Sequence, residues 1–401
     1  MLKRIKIQGY KSLVDMEIEL QPLTVLFGPN AAGKSNFLDA LQLLSRLPTS
    51  TNLRDAFTPP YRGTILESFT FGPKGIEGLL EQRKVSFSIE IEVELSPKTI
   101  EATQRRFEGF WGSGHNLDNV KSLKYFIAID VQPKLGSLKA PTQNITAYDI
   151  NGEIIGKVLP IFSVQQSNNI FFDTASFAKS PLISALYEEL SSWLFFYLEP
   201  RERMRQPTAV RETRHIGLMG EDIAPFLNTL RALDEPQFKA LEKALHLLIP
   251  EITGIDVGVN NRGDVEVRLM QGQTPLPASV LSEGTWRMLG LLALGGAKES
   301  PALLGFEEPE NGISPQRLDL IASLLTNLTY NDTQVIVTTH SPTLLDALPQ
   351  ESLFMVRQLN GRTSIDPLAR FDEKKHSSVS PASSQKNRLI SERLLRGDFS
   401  A

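Results

Sequence analysis

Eight residues constrain this chain more than any others. Gly28-Pro-Asn-Ala-Ala-Gly33-Lys34-Ser35 fills every fixed position of the pattern G-x-x-x-x-G-K-[ST]. The run before it, Leu23-Thr-Val-Leu-Phe27, reads as a buried strand. The run after it carries Phe37, Leu38, Leu41 and Leu44 at helical spacing and stops before Pro48. A strand, a glycine loop and a helix in that order make a cradle for phosphate. The glycines allow close backbone approach, the loop N–H groups wrap an anion, and the helix points its positive end at it. Gly28, Pro29, Asn30, Ala31, Ala32, Gly33, Lys34, Ser35 and Asn36 are therefore the expected contacts of a nucleotide. Lys34 is expected to neutralise the β- and γ-phosphates, and the Ser35 hydroxyl to ligate Mg²⁺.

Such a cradle needs an acidic partner at the end of a neighbouring strand. Leu303-Leu-Gly-Phe306-Glu307-Glu308 is an apolar run ending in two carboxylates. Glu307 is placed to hold the metal through water, and Glu308 to orient and polarise an attacking water. The plainer alternative is a buried strand that ends in two glutamates at its solvent edge. Gln334-Val-Ile-Val-Thr-Thr339 is a third strand, followed by His340 and Ser341. A strand-end histidine alone is often structural. His340 lies 32 positions after Glu308, across one helix, so it belongs to the next strand over. There it can reach the γ-phosphate and hold the water or its carboxylate partner.

Around these motifs, alternating patterns predict strands over 2–7, 16–27, Val85–Leu95 and Tyr125–Val131. A further pair is expected within Ile145–Leu159, turning at Asn151-Gly152. Helical spacing covers Leu182–Tyr197, Ile223–Leu233, Gln237–Leu248, 281–297 and Pro315–Leu328, with another start at Pro342–Leu348. Hairpins are expected over Ile255–Met270 and over Phe354–Ile365 around Asn360-Gly361. Ala302–Phe306 and Gln334–Thr339, separated by a helix, imply a parallel sheet with crossover helices. The expected class is α/β: a P-loop NTPase with a mostly parallel sheet and flanking helices, an antiparallel β lobe and a globular α/β insert. Residues 1–48 and 250–370 are expected to assemble into one head, and 49–249 to form the lobe and insert. Residues 371–401 are expected to be a mobile tail with a short helix near Asn387–Arg396, because Lys374–Gln385 is rich in Ser and Lys. Prolines punctuate the insert and no heptad is sustained, so it is expected to be globular, without a coiled-coil arm.

The 401 residues are 41% hydrophobic and 22% charged, an ordinary globular balance. Cysteine is absent, which excludes disulfides and thiolate metal sites and fits a reducing compartment. No apolar run approaches the roughly 20 residues of a membrane span. The first residues lack a signal-peptide core. The expectation is a soluble cytoplasmic protein without a membrane partner. The net charge of −4 shows no overall basic excess of the kind that announces nucleic-acid binding, which leaves only a local patch for that role.

With these motifs in this order, the chain resembles the AAA-type ATPases whose heads are ABC-like: the RecF, SMC and OLD relatives. Leu281-Ser282-Glu283-Gly284-Thr285 is similar to the family's signature motif, and Phe306–Pro315 to its acidic strand and following loop. Thr338-Thr-His-Ser-Pro342 is similar to its histidine switch, and Gly217–Leu227 to a segment often found before the signature. The likeness covers roughly residues 1–47 and 250–348. Ser314 departs from it, since relatives usually carry histidine before the proline. The Q-loop glutamine is not assignable. The resemblance implies an ABC-type head that binds ATP with Mg²⁺ and hydrolyses it. It also implies a symmetric dimer in which Ser282 and the N–H of Gly284 act in trans on the ATP held by the other copy. A plain helix cap is the simpler role for Ser282, and the two are compatible.

Two outputs for such a switch follow from the sequence and the resemblance. The family implies DNA repair or defence against invading DNA. Arg201, Arg203 and Arg205, with Arg211 and Arg214 nearby, are the candidate phosphate contacts, against a plainer reading as Arg–Glu pairs on a solvated loop. Only 61 residues follow His340, too few for the nuclease domain that some OLD-type relatives carry there, so cleavage is expected to fall to a separate effector protein. The Gly109–His115 loop is a candidate docking site for it, or simply a flexible turn. The alternative is an ATP-dependent regulator of a nuclease or toxin that does not bind DNA itself. A transporter ATPase subunit is disfavoured by the long globular insert, and a metabolic kinase has no need of a signature or a histidine switch.

Overall fold

The computed structural model describes residues 1–59, 61–107, 117–158, 180–295, 301–330, 332–370 and 389–396. The two-residue periodicity of the N-terminal region builds an antiparallel sheet. β1 (Leu2–Tyr10) and β2 (Leu13–Glu19) form a hairpin, joined by β4 (Val85–Glu94), β5 (Ser122–Gln132), β6 (Ser137–Tyr148) and β7 (Ile154–Val158) in the order β2-β1-β4-β5-β6-β7. Val85, Phe87, Ile89, Ile91 and Val93 of β4 all face the core, while the residues between them are at least partly wet.

A second sheet carries the motifs. β8 (Leu194–Phe196), β13 (Leu303–Glu307), β14 (Gln334–Thr339), β3 (Leu23–Phe27) and β15 (Leu353–Leu359) run parallel, and β16 (Arg362–Pro367) closes the edge antiparallel to β15. β3 and β14 are buried on both faces and, apart from Gln334 at the start of β14, read as unbroken apolar or β-branched runs. A small antiparallel sheet of β9 (Thr208–Ala209), β10 (Gly254–Val259), β11 (Asp264–Gln271) and β12 (Thr274–Pro277) stands apart.

The helices are α1 (Lys34–Arg46), α2 (Gly75–Leu80), α3 (Pro97–Phe107), α4 (Pro181–Ser191), α5 (Ile223–Leu233), α6 (Glu235–Leu248), α7 (Glu283–Gly295), α8 (Leu318–Thr329), α9 (Pro342–Asp346) and α10 (Ile390–Leu395). The parallel sheet divides two cores. Leu26 of β3, Ile336 of β14 and Val356 of β15 join the core shared with α1, α4 and the antiparallel sheet. Val25, Val337 and Met355 join the opposite core, with Leu227, Leu241, Trp286 and Ile321 from α5 to α8. The Gln334 amide ties the sheets together. It donates to the carbonyls of Leu2 (2.9 Å) and Gln21 (3.0 Å) and accepts from the Leu2 N–H (2.8 Å).

Several elements differ from expectation. The strand expected over 16–27 is two strands, broken at 20–22, where Pro22 lacks a donor for the ladder. The helix expected over 182–197 ends at Ser191, and Leu194-Phe-Phe196 becomes the edge strand β8 beside β13. Residues 194–196 thus fall in the parallel sheet and β1–β2 in the antiparallel one, so the sheets cut across the expected division at 48 and 250. The longest described helix has 14 residues, and no described helix is long and apolar enough to cross a membrane. The Gly109–His115 loop and Lys374–Gln385 lie outside the described residues.

Candidate active site

β3 delivers the chain into the glycine loop, and the C-terminal hairpin β15–β16 packs against that loop. A β-carbon at Gly28 (φ +152°) would lie 2.2 Å from the Val356 carbonyl oxygen, and one at Gly33 (φ +104°) 2.0 Å from Thr363 Oγ1. Both positions are closed to any side chain. The buried Thr363 hydroxyl donates to the Ala32 carbonyl (2.9 Å) and lies 2.7 Å from the Ser12 hydroxyl, which accepts from the Asn36 amide (2.7 Å). A residue 331 positions away in sequence thus holds the loop's shape. Thr363→Val is expected to cost about 1–3 kcal/mol by leaving the buried Ala32 carbonyl unpaired, and to weaken nucleotide binding, while Thr363→Ser retains both. Thermal melts and nucleotide titrations of the two variants test this.

The Lys34 ammonium donates to the Gly28 and Pro29 carbonyls at 2.8 and 3.0 Å, which fixes it at the mouth of the loop. Burial lowers its pKa, and the carboxylates of Glu308, Glu307 and Glu310 oppose that fall. Ser35 Oγ donates to Glu307 Oε1. The other oxygen of Glu307 pairs with Arg62 at 2.8 Å, and Arg62 also pairs with Asp39, which Lys11 reaches at 2.7 Å. Ser35 Oγ and Glu307 Oε1 are hard oxygen donors in mutual contact. That is the donor set Mg²⁺ takes when it keeps several waters and uses substrate phosphates for the rest. The described residues hold no cluster of three or more acidic, His or Cys ligands. A cation here would therefore rely on phosphate oxygens.

Glu308 follows the end of β13 with φ +49°, a left-handed conformation that is uncommon for a residue other than glycine and characteristic of functional sites. Its N–H donates to the Thr338 carbonyl (2.9 Å). One carboxylate oxygen accepts from Asn311 Nδ2 (2.5 Å), the other from His340 Nδ1 (2.9 Å). An ionised carboxylate only accepts, so Nδ1 carries the hydrogen in this pairing. Glu308 and His340 meet as expected, and Asn311 is an addition from the turn after β13.

Glu310 is buried. Thr339 Oγ1 donates to one of its oxygens and the other has no partner in the described structure. Burial raises its pKa, and the Thr339 hydrogen bond opposes the rise. The folded chain therefore keeps this proton to a higher pH than the unfolded chain, whose glutamates titrate near about 4.3. The associated stability is complete below that value and is lost as pH rises through the folded pKa. Glu310→Gln removes the loss. Its melting temperature relative to the natural chain is expected to be higher at pH 8 than at pH 5, and an equal difference at both would count against the buried proton.

The signature segment opens α7. Ser282 Oγ accepts from Thr285 N–H (3.1 Å), an N-cap bond. A β-carbon at Gly284 would lie 2.4 Å from the Gly312 carbonyl oxygen, so the helix start is pressed against the loop after Glu308. The arginines are engaged within the chain. Arg201 pairs with Glu283, Arg205 donates to the Leu281 carbonyl at 2.5 Å, Arg203 faces Glu199 at 3.9 Å, and Arg211 pairs with Asp222.

A family model described as "AAA ATPase domain" matches residues 1–151. Another, described as "AAA domain, putative AbiEii toxin, Type IV TA system", matches residues 174–346. The chain is 43% identical over 44 residues to an OLD nuclease of Thermus scotoductus, a segment that makes up 11% of this chain and 8% of that protein. Among solved structures, the SMC head bound to the C-winged helix domain of ScpA superposes with a TM-score of 0.59 at 14% identity, covering 92% of this chain and 99% of that one. The SMC head with an extended coiled coil, bound to the C-terminal domain of ScpA derived from Pyrococcus furiosus, gives a TM-score of 0.50 at 11% identity, covering 94% and 98%. At these identities the likeness to the SMC heads is one of fold. The fold and the matched domains are similar to those of ATPase heads built on a phosphate-binding loop. Over these stretches the chain is similar to P-loop ATPase domains, and its fold is that of the SMC heads.

Proposed function

We propose that this protein binds ATP with Mg²⁺ at the Gly28–Asn36 loop, hydrolyses it, and uses the cycle as a switch. In this reading two copies close around two ATP molecules, with Ser282 and Gly284 of each copy acting on the ATP held by the other. The observation that carries the reading is Glu308: a strained backbone and hydrogen bonds to both oxygens hold one carboxylate fixed beside the buried Lys34. Lys34 neutralises the phosphate charge, Glu308 orients the attacking water and takes its proton, and His340 keeps Glu308 aimed. Ser35 and, through water, Glu307 would hold Mg²⁺, which would add charge neutralisation at the β- and γ-phosphates.

The output we propose is control of a separate effector, such as a nuclease, in DNA repair or in defence against mobile DNA. The pairing of Arg201, Arg203, Arg205 and Arg211 within the chain supports a second reading, in which the effector protein is the target and this protein does not bind DNA itself. Phosphate release from ATP is expected to require Mg²⁺ and to stop with EDTA; release that is indifferent to chelation would count against the site. Duplex-DNA binding by the Glu308→Gln protein, with and without Mg-ATP across a salt series, separates the two outputs. ATP-dependent binding that weakens steeply with salt supports the DNA reading. Its absence at low salt supports the protein-partner reading.

A further inference from the structure

The signature segment carries a carboxylate where an incoming triphosphate would meet it. Glu283 sits between Ser282 and Gly284, in the first turn of α7. An acid there stabilises the helix start but repels an anion approaching the same N–H groups. The chain places a cation against it from 82 residues away. The turn Pro200–Met204 lies on α7, with Met204 buried against Gly290. From this turn Arg201 Nε donates to Glu283 Oε1, and Arg205 from just beyond it donates to the carbonyl of Leu281, at the start of the signature. The side chain of Arg201 is 76% exposed and that of Glu283 32%, so the pair contributes little to stability. Its effect is on the field in front of Ser282.

We infer that Arg201 is a positioning residue that neutralises Glu283, making the signature face acceptable to the ATP carried by a second copy of this chain. The inference rests on the two-copy reading above and adds to it the group that permits closure. Arg201 reaches the phosphates through Glu283: with the pair formed, Ser282 and the α7 N–H groups face the triphosphate without an adjacent net negative charge. With Arg201 removed, Glu283 opposes the approach at short range in an interface that excludes water, where like charges are costly.

The experiment is sedimentation velocity of the full chain carrying Glu308→Gln, with Mg-ATP and with Mg-ADP, alone and combined with Arg201→Ala, Arg201→Lys, Glu283→Gln or Arg201→Ala/Glu283→Gln. Binding of a fluorescent ATP analogue is measured on each protein. Arg201→Ala is expected to weaken ATP-driven association by about ten-fold or more. Arg201→Lys is expected to keep association, and Glu283→Gln to restore it in the Arg201→Ala background. Unchanged association in Arg201→Ala overturns the inference. So does a loss that Glu283→Gln fails to restore, since Arg201 would then act through the shape of its turn. A parent that binds the analogue but never associates overturns the two-copy reading, and this inference with it.

Discussion

Glu308→Gln is expected to bind ATP, to hydrolyse it roughly 10²–10⁴-fold more slowly than the natural chain, and to accumulate as an ATP-bound dimer. The substitution keeps the side chain's shape and removes its capacity to take a proton. His340 Nδ1, now 2.9 Å from one carboxylate oxygen, can still donate to the amide oxygen of glutamine. Asn311, whose amide nitrogen lies 2.5 Å from the other oxygen, must then turn its own oxygen toward the new NH₂ group. The local geometry therefore survives, and a lost rate reports the lost base. Phosphate release and sedimentation on the same preparation give the answer. Turnover at the natural rate would refute the role given to Glu308.

Lys34→Ala is expected to abolish ATP binding at working concentrations. Losing a buried cation opposite phosphate costs about 2–5 kcal/mol, which is roughly 30-fold to several thousand-fold in Kd. The effect is compounded by what remains. Glu307, Glu308 and Glu310 all act electrostatically on the Lys34 ammonium, so its removal leaves a triphosphate facing carboxylates without that cation. The Gly28 and Pro29 carbonyls also lose the donor that holds them. Titration with a fluorescent ATP analogue measures the loss, and a melting curve checks that the loop alone is affected. An unchanged Kd would remove Lys34 from the site.

The parts of this site that are legible in the sequence are local or lie at the ends of unbroken apolar runs. The glycine loop is continuous in the chain, and Glu307, Glu308 and His340 each stand where a buried strand meets polar residues. The meeting of Glu308 with His340 followed from one crossover helix between adjacent parallel strands. Thr363, Asn311 and Arg62 lie outside these patterns. Thr363 touches the loop only because β15 lies beside β3, and Arg62 sits in an irregular segment that no periodicity marks. Asn311 carried a faint signal, since Glu308 and Asn311 are three residues apart in a turn. Leu194-Phe-Phe continues the apolar spacing of the preceding helix, so the sequence predicts helix where β8 forms, and only the free edge of β13 selects the extended form. For the arginines the sequence leaves phosphate contacts and Arg–Glu pairs both open; the structure pairs them within the chain, Arg201 with Glu283, which lies 82 residues away and is not matched to it by inspection.

The strand that delivers the glycine loop, β3, is flanked by β14 and β15, both made from residues beyond 333. During translation the loop therefore leaves the ribosome long before either neighbouring strand exists. Domains form as units, and a lone central strand has nothing to pair with. A nascent chain halted after Ser35 but before Gln334 would hold the whole Gly28–Ser35 sequence yet lack both of the strands that flank β3.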